Sequence, residues 1–457
     1  MKKTDLLVIG GSAGGILSAN SARKAYGDIK ITIIRNTPTV MVPCGIPYIF
    51  GTLKDTNKNM IPDGMVTNND IDLIIDEVIK IDRENQVVQT QNDEYIQYKK
   101  LIIATGSTPV IPTFIPGHDL ENVYTILKNQ SYLKNILEKT QNAQDIVIVG
   151  GGFIGVEFAE QMRNLDKNIT LIEVADACLW QAFDKSFTDE IEGVLKENGI
   201  TIKTNTKVEK ILGNGKVEEV QLDSGEKIKT DLVILSMGVK PNTKLAKDAG
   251  IQLNEKGAIL VDQYTKTSDP NIFAVGDCAD KKCFFTGKDI PVLLASTAAT
   301  EAKIAGYNAF ELRLIRQNKG TISAFSTQIF GRTYAAAGMT ESKAKEEGFS
   351  LVVGNFSTFD KHPGSLPNTQ KINIKLIFSK SSGIILGAQI SGGDSVGEMI
   401  NIISLAIQKE LTMSELTTFQ VATHPLISAS PIAYPINAAS MDAFSKNCKY
   451  LNEDFQI

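Results

Sequence analysis

Residues 5–36, DLLVIGGSAGGILSANSARKAYGDIKITIIRN, change their hydrophobic pattern twice. An unbroken apolar run ends at paired glycines, a helical pattern follows, and isoleucine alternates with threonine in the last stretch. That succession predicts strand, glycine turn, helix and strand, a βαβ unit. Residues 144–176, QDIVIVGGGFIGVEFAEQMRNLDKNITLIEVAD, repeat the pattern. Three more apolar runs end in glycine turns: KLIIATGSTPVIP (100–112), DLVILSMGVKPN (231–242) and NIFAVGDCAD (271–280). From about residue 325 the texture changes. STQIFGRTYAAAGM, KINIKLIF and GIILGAQI read as antiparallel strands, the last two joined by SKSSG. A helix is expected from Ser395, with Ser395 and Glu398 as a capping box and Val396, Met399, Ile400, Ile403 and Ile407 on one stripe. The fold class is therefore α/β: two Rossmann-like dinucleotide-binding units and a C-terminal α+β domain.

Charge and composition narrow the partners. The 457 residues carry 47 Lys+Arg against 52 Asp+Glu with no basic block, so no nucleic-acid footprint is present and small molecules are the expected partners. No apolar run reaches the ~20 residues that cross a bilayer, so no membrane partner is expected. The basic, apolar start is interrupted by Asp5 and glycines and lacks a small-residue cleavage site, which reads as a cytoplasmic protein. Five cysteines (44, 178, 278, 283, 448) form no disulfide framework, and His118, His362 and His424 show no metal-ligand spacing with them. No metal site is expected.

The glycine turns carry the first chemistry. In the second unit Gly150, Gly152 and Gly155 complete a G-x-G-x-x-G fingerprint, whose backbone and following helix N-terminus, Phe153-Ile154, cradle a pyrophosphate. Glu173 ends the next strand, where a carboxylate binds a ribose 2′-hydroxyl and repels a 2′-phosphate, so NADH is expected in preference to NADPH. The first unit departs from the fingerprint. It reads Gly10-x-Ser12-x-x-Gly15, with Ala13 and Gly14 between, and places Arg35 where the ribose-binding acid is expected.

The order of these pieces resembles the pyridine nucleotide-disulfide oxidoreductase family over essentially the whole chain: first βαβ unit, the cysteine of VPCGIPY, ATGSTP, second fingerprint, GVKPN, AVGD, and the α+β tail. The resemblance implies an FAD-binding domain (1–116 and 245–324) interrupted by an NAD-binding domain (117–244). A C-terminal interface domain (325–457) would then make a homodimer. It also implies FAD phosphates at Gly10–Gly15, contacts at Ala104, Thr105 and Gly106, and Asp277, after Gly276, on the ribityl chain. Leu294, Ala295 and Ser296 would lie near the isoalloxazine, Pro43 and Cys44 beside it, Glu157 near the nicotinamide, and Gly238 at the second turn.

Family members similar to glutathione reductase carry two cysteines with four residues between them at this place, whereas VPCGIPY has Cys44 alone. The chain resembles instead the single-cysteine branch of coenzyme A-disulfide reductases, NADH:polysulfide or persulfide reductases, NADH oxidases and NADH peroxidase. The peroxidase and the water-forming oxidases carry a histidine where Ala13 stands. A turn opening a short helix after Cys44 would lower its thiol pKa. The expected catalytic set is Cys44 with a proton donor from the partner subunit, His424 or His362, either of which could instead be a structural histidine. Lys361-His362 stands where coenzyme A-disulfide reductases carry tyrosines. The expected activity is reduction of a small disulfide, persulfide or polysulfide; oxygen reduction at the flavin and a slow NADH-responsive sensor are the alternatives.

Overall fold

The computed structural model describes residues 1–315 and 319–454. The strand Lys2–Ile9 sits centrally in a seven-stranded sheet because its residues are buried on both faces, as a run such as LLVI requires. It pairs in parallel with Ile31–Arg35 on one side and Tyr95–Ile103 on the other. Asp72–Ile75 extends one edge, and an antiparallel pair, Val78–Asp82 with Val87–Thr90, extends the other. Ile272–Ala274 returns from far downstream to lie parallel to the end of Tyr95–Ile103, with Ile272 opposite Leu101. The helices Ala13–Tyr26 and Ala295–Tyr307 pack together against this sheet.

A second, wholly parallel sheet of five strands has the order Val123–Thr125, Leu232–Leu235, Asp145–Val149, Asn168–Ile172, Ile200–Lys203. The chain leaves the first sheet through Ser107–Pro109 and comes back through Val239–Pro241, and these two segments pair antiparallel. The third sheet is antiparallel, in the order Phe325–Ile329, Arg332–Gly338, Ile385–Gly392, Lys371–Ser379, Leu351–Phe359. Helices Ser395–Gln408 and Pro435–Asp454 cover it, and the predicted stripe Val396, Met399, Ile400, Ile403, Ile407 is buried.

The capping box expected at Ser395 does not form. Asp394 precedes the helix without a side-chain cap bond, Ser395 Oγ is buried without a partner, and Glu398 accepts from Asn401 instead. Ser395 is already the first helical residue, so its hydroxyl cannot reach back to the free amides as an N-cap would. The capping box that does form is Thr412 with Glu415.

One aspartate ties the second unit to the third sheet. Asp184, at the start of the helix Lys185–Glu197, accepts from the amides of Glu341 (2.9 Å) and Ser342 (3.1 Å) and from Gln389 Nε2 (2.6 Å), and it pairs with Lys375 at 3.0 Å. Burial pushes its carboxyl up, but the Ser342 hydroxyl, the amides of Glu341 and Ser342 and the Lys375 ammonium outweigh burial and bring it down to about 2 from 3.8. The depressed carboxyl stabilises the fold above pH 3.8, and that contribution, about 2 kcal/mol, is lost as pH falls toward 2. Asp184→Asn is therefore expected to lower the urea midpoint at pH 7, with the gap to wild type closing in acid. A gap that stays constant with pH would show that the carboxylate charge is not what holds the two parts.

Candidate functional site

Both glycine turns have the geometry of phosphate cradles. At Gly10, φ is +116°, and a Cβ there would overlap the carbonyl of Ala104; at Gly15 one would overlap Gly10 O. The second turn repeats this with Gly150 (φ +108°) against Ser236 and Gly155 against Gly150 O. The helices that follow begin at Ser12 and Gly152 with no side-chain cap, so the first-turn amides and the positive end of each dipole remain free for an anion. Ser12 adopts φ −98°, a conformation open to any residue, so the missing second glycine costs no strain.

The two cradles open into one cavity of about 1420 Å³. Gly10, Ser12, Ala13, Gly14, Arg35, Pro43, Cys44, Ala104, Thr105 and Gly106 line its first part. Gly150, Gly152, Phe153, Ile154, Glu157, Glu173 and Gly238 line its second, and Gly276, Asp277, Leu294 and Ala295 complete the wall. Gly15, Gly155 and Ser296 are not among the residues that line it. The space and the two uncapped helices fit two dinucleotides. When bound, a flavin there supplies hydride acceptance and two-electron delivery.

At the second cradle, Glu173 is held by its own backbone. Oε2 accepts from Gly151 N–H at 2.5 Å and Oε1 from Ala175 N–H at 2.8 Å. At the first, Arg35 turns away. Its guanidinium pairs with Asp63 at 2.8 Å and donates to the carbonyls of Thr37 and Pro38, while its aliphatic stem covers Gly11.

Cys44 lies inside the single turn Pro43–Gly45 rather than ahead of a regular helix, and its side chain opens into the cavity. The expected lowering of its pKa is not found. The residue is accessible from the cavity, yet the surrounding walls strip enough water to push the thiol up, and the Glu157 carboxylate pushes further in the same direction. Lys128 opposes them; it sits 3.4 Å from Asp277, which also accepts from Ser107 Oγ at 2.7 Å. Glu157 itself is raised by burial to about 7 despite a 2.9 Å bond from Thr327 Oγ1, and Glu160 on the same helix raises it further. Below about pH 7 Glu157 is neutral and leaves the thiol alone; above it, the carboxylate disfavours the thiolate. Glu157→Gln is thus expected to lower the alkylation midpoint of Cys44 with iodoacetamide. A midpoint that rises would contradict this placement.

Neither His424 nor His362 lines the cavity of its own chain. They lie on two loops that touch, His362 N–H donating to Pro425 O (3.1 Å): Leu426 N–H donates to His424 Nδ1 (3.3 Å), and His362 Nδ1 lies 3.0 Å from Ser428 O. A backbone amide only donates and a carbonyl only accepts, so the neutral tautomer these contacts select carries its proton on Nε2 in His424 and on Nδ1 in His362. Leu426, Ile427 and Ile432 are exposed beside them. Lys128, Ser107 and Thr327 were not singled out from the sequence. Ser107 directly follows the expected Gly106 within ATGSTP, whereas Lys128 and Thr327 reach the site from distant segments without a local motif.

The sequence model of the family described as pyridine nucleotide-disulphide oxidoreductase matches residues 4–302, and that of its dimerisation domain matches residues 325–432. The chain belongs to the pyridine nucleotide-disulphide oxidoreductase family. It is an oxidoreductase that works with a flavin and a pyridine nucleotide. Within the family it is 31% identical over 454 residues to an NADH oxidase of Methanocaldococcus jannaschii, covering 96% of this chain and 98% of that one. It is 32% identical to a CoA-dependent NAD(P)H sulfur oxidoreductase of Pyrococcus abyssi, covering 86% and 88%. The structure of an NAD-dependent persulfide reductase from A. fulgidus superposes with a TM-score of 0.88 at 30% identity, over 97% of this chain and 84% of that one. Among the described residues no group of acidic, histidine and cysteine side chains could hold a metal ion, and no helix is long and apolar enough to cross a membrane.

Proposed function

We propose that this oxidoreductase is a homodimer that holds FAD on the first cradle and NADH, in preference to NADPH, on the second, and reduces a small disulfide, persulfide or polysulfide through Cys44. The observation that carries this reading is a single free thiol facing the cavity between the two cradles: Cys278 is fully buried, and no described cysteine is disulfide-bonded. The Cys44 thiolate attacks one sulfur of R–S–S–R, forming a Cys44–S–S–R bond and releasing RS⁻. Two electrons, drawn from reduced nicotinamide, then break that bond, return Cys44 to the thiolate and release the second RS⁻. Each RS⁻ takes a proton at the site, supplied by a histidine of the apolar loop around Ile427 and Ile432 once that loop packs on a second copy of the chain. Held at Gly151 and Ala175, Glu173 disfavours a 2′-phosphate by charge and by space.

The names of the relatives favour a second reading, oxygen reduction, in which Cys44 is ancillary. Anaerobic NADH oxidation with coenzyme A disulfide, a persulfide and polysulfide, set against oxygen uptake, separates the two. A sulfur acceptor turned over at least tenfold faster than oxygen supports the proposal. Sulfur turnover at background with brisk oxygen uptake overturns it in favour of the oxidase.

A further inference from the structure

A buried ion pair stands directly behind the turn that presents Asp277 to the cavity. Lys281 and Glu301, 3.2 Å apart, have side chains only 3% and 8% exposed. Lys281 spends its three ammonium protons on Glu301, on Gly276 O (2.7 Å) and on Ala279 O (2.8 Å). The second oxygen of Glu301 accepts from Gly276 N–H at 2.8 Å. One charge therefore grips the carbonyl of Gly276 and the other its amide, and the glycine is held at φ +74°. Asp277, the next residue, lines the cavity and accepts from Ser107. Glu301 belongs to the helix Ala295–Tyr307, whose first turn lines the same cavity at Ala295 and Ala298. The pair thus sets the helix against the turn.

We infer that Lys281 and Glu301 are positioning residues for the first cradle: their ion pair clamps both backbone groups of Gly276 and so aims Asp277 at the bound dinucleotide. Stability alone does not explain the pair. Burying two charges costs desolvation that their attraction seldom returns with surplus, and apolar side chains of similar volume would fill the space as well. What apolar residues cannot do is hold a peptide in the left-handed region by both its donor and its acceptor. The inference rests on the reading that the first cradle holds FAD through Asp277.

The test is the rate of FAD release from the full-length holoprotein, followed by flavin fluorescence, in wild type, Lys281→Met, Asp277→Asn and the double variant. If the pair acts through Asp277, Lys281→Met accelerates release about tenfold in the wild-type background and less than about threefold once Asp277 is gone, because coupled residues are not additive. Equal factors in both backgrounds, or no acceleration in either, overturn the inference while leaving the cradle assignment standing. A wild-type protein that takes up no FAD overturns both. Should Lys281→Met fail to fold, Lys281→Met with Glu301→Gln leaves no unpaired charge, keeps an acceptor for the Gly276 amide, and carries the same cycle. NADH binding at the second cradle, read by quenching of Trp180, is expected to be unchanged throughout.

Discussion

Cys44→Ser is expected to lower sulfur-acceptor-dependent NADH oxidation by on the order of 1000-fold while leaving NADH binding and flavin content intact. The substitution keeps the shape of the Pro43–Gly45 turn, because it is nearly isosteric and the exposed side chain opens into the cavity. It replaces a thiol, which can ionise and attack sulfur, by a hydroxyl that does neither, so the S–S bond of the acceptor is never attacked. No second sulfur is poised to take over: Cys278 contacts the carbonyls of Ile103 and Val275 in the core, and Cys178 is buried with its thiol pushed up to about 12 by burial. Anaerobic steady-state rates with the best sulfur acceptor check the prediction. Rates within tenfold of wild type would remove Cys44 from the chemistry and leave oxygen reduction as the better account.

Gly155→Ala and Gly152→Ala are expected to fail in different ways. A methyl at Gly155 would overlap Gly150 O and approach Ser236 Oγ at 2.7 Å, so the helix Phe153–Arg163 must back away from its strand. Overpacking of this kind costs about 1–3 kcal/mol or more, and the displaced amides lose their aim. Both melting temperature and NADH affinity should fall, the latter by on the order of 100-fold. At Gly152 the backbone is unstrained, with φ −75°, and an added methyl meets nothing within 4 Å. There the melting temperature should hold while NADH affinity still drops, since the methyl occupies space that a pyrophosphate needs. Trp180, the one tryptophan of the chain, stands half-exposed on the cavity wall and reports binding by quenching. Unchanged NADH affinity in Gly152→Ala would count against pyrophosphate binding at that turn.

Much of this architecture is written locally. Each cradle needs two glycines where a neighbouring carbonyl comes too close for a Cβ, and Gly10, Gly15, Gly150 and Gly155 declare that in the sequence. Glu173 sits one residue past its strand and meets Gly151, so its place follows from the βαβ geometry. What could not be read locally depends on side chains from separate segments. The thiol of Cys44 is pushed up first by burial among the cavity walls and then by the Glu157 and Asp277 carboxylates against Lys128, all far along the chain, which reversed the expectation drawn from the turn alone. The pairing of Arg35 with Asp63 could not be foreseen because Asp63 lies in a loop with no recognisable motif. Ser395 misled for the opposite reason. The S-x-x-E pattern was present, but the helix had begun one residue earlier than a cap allows.

The strand Ile272–Ala274, which finishes the first sheet beside Tyr95–Ile103, sets an order of events during synthesis. Every strand of the parallel second sheet lies between Val123 and Leu235, so that unit has all its pieces while the first sheet still waits for one. The Gly276–Asp277 turn and the helix that holds it emerge later still. A growing chain therefore completes its second cradle before its first has a far wall.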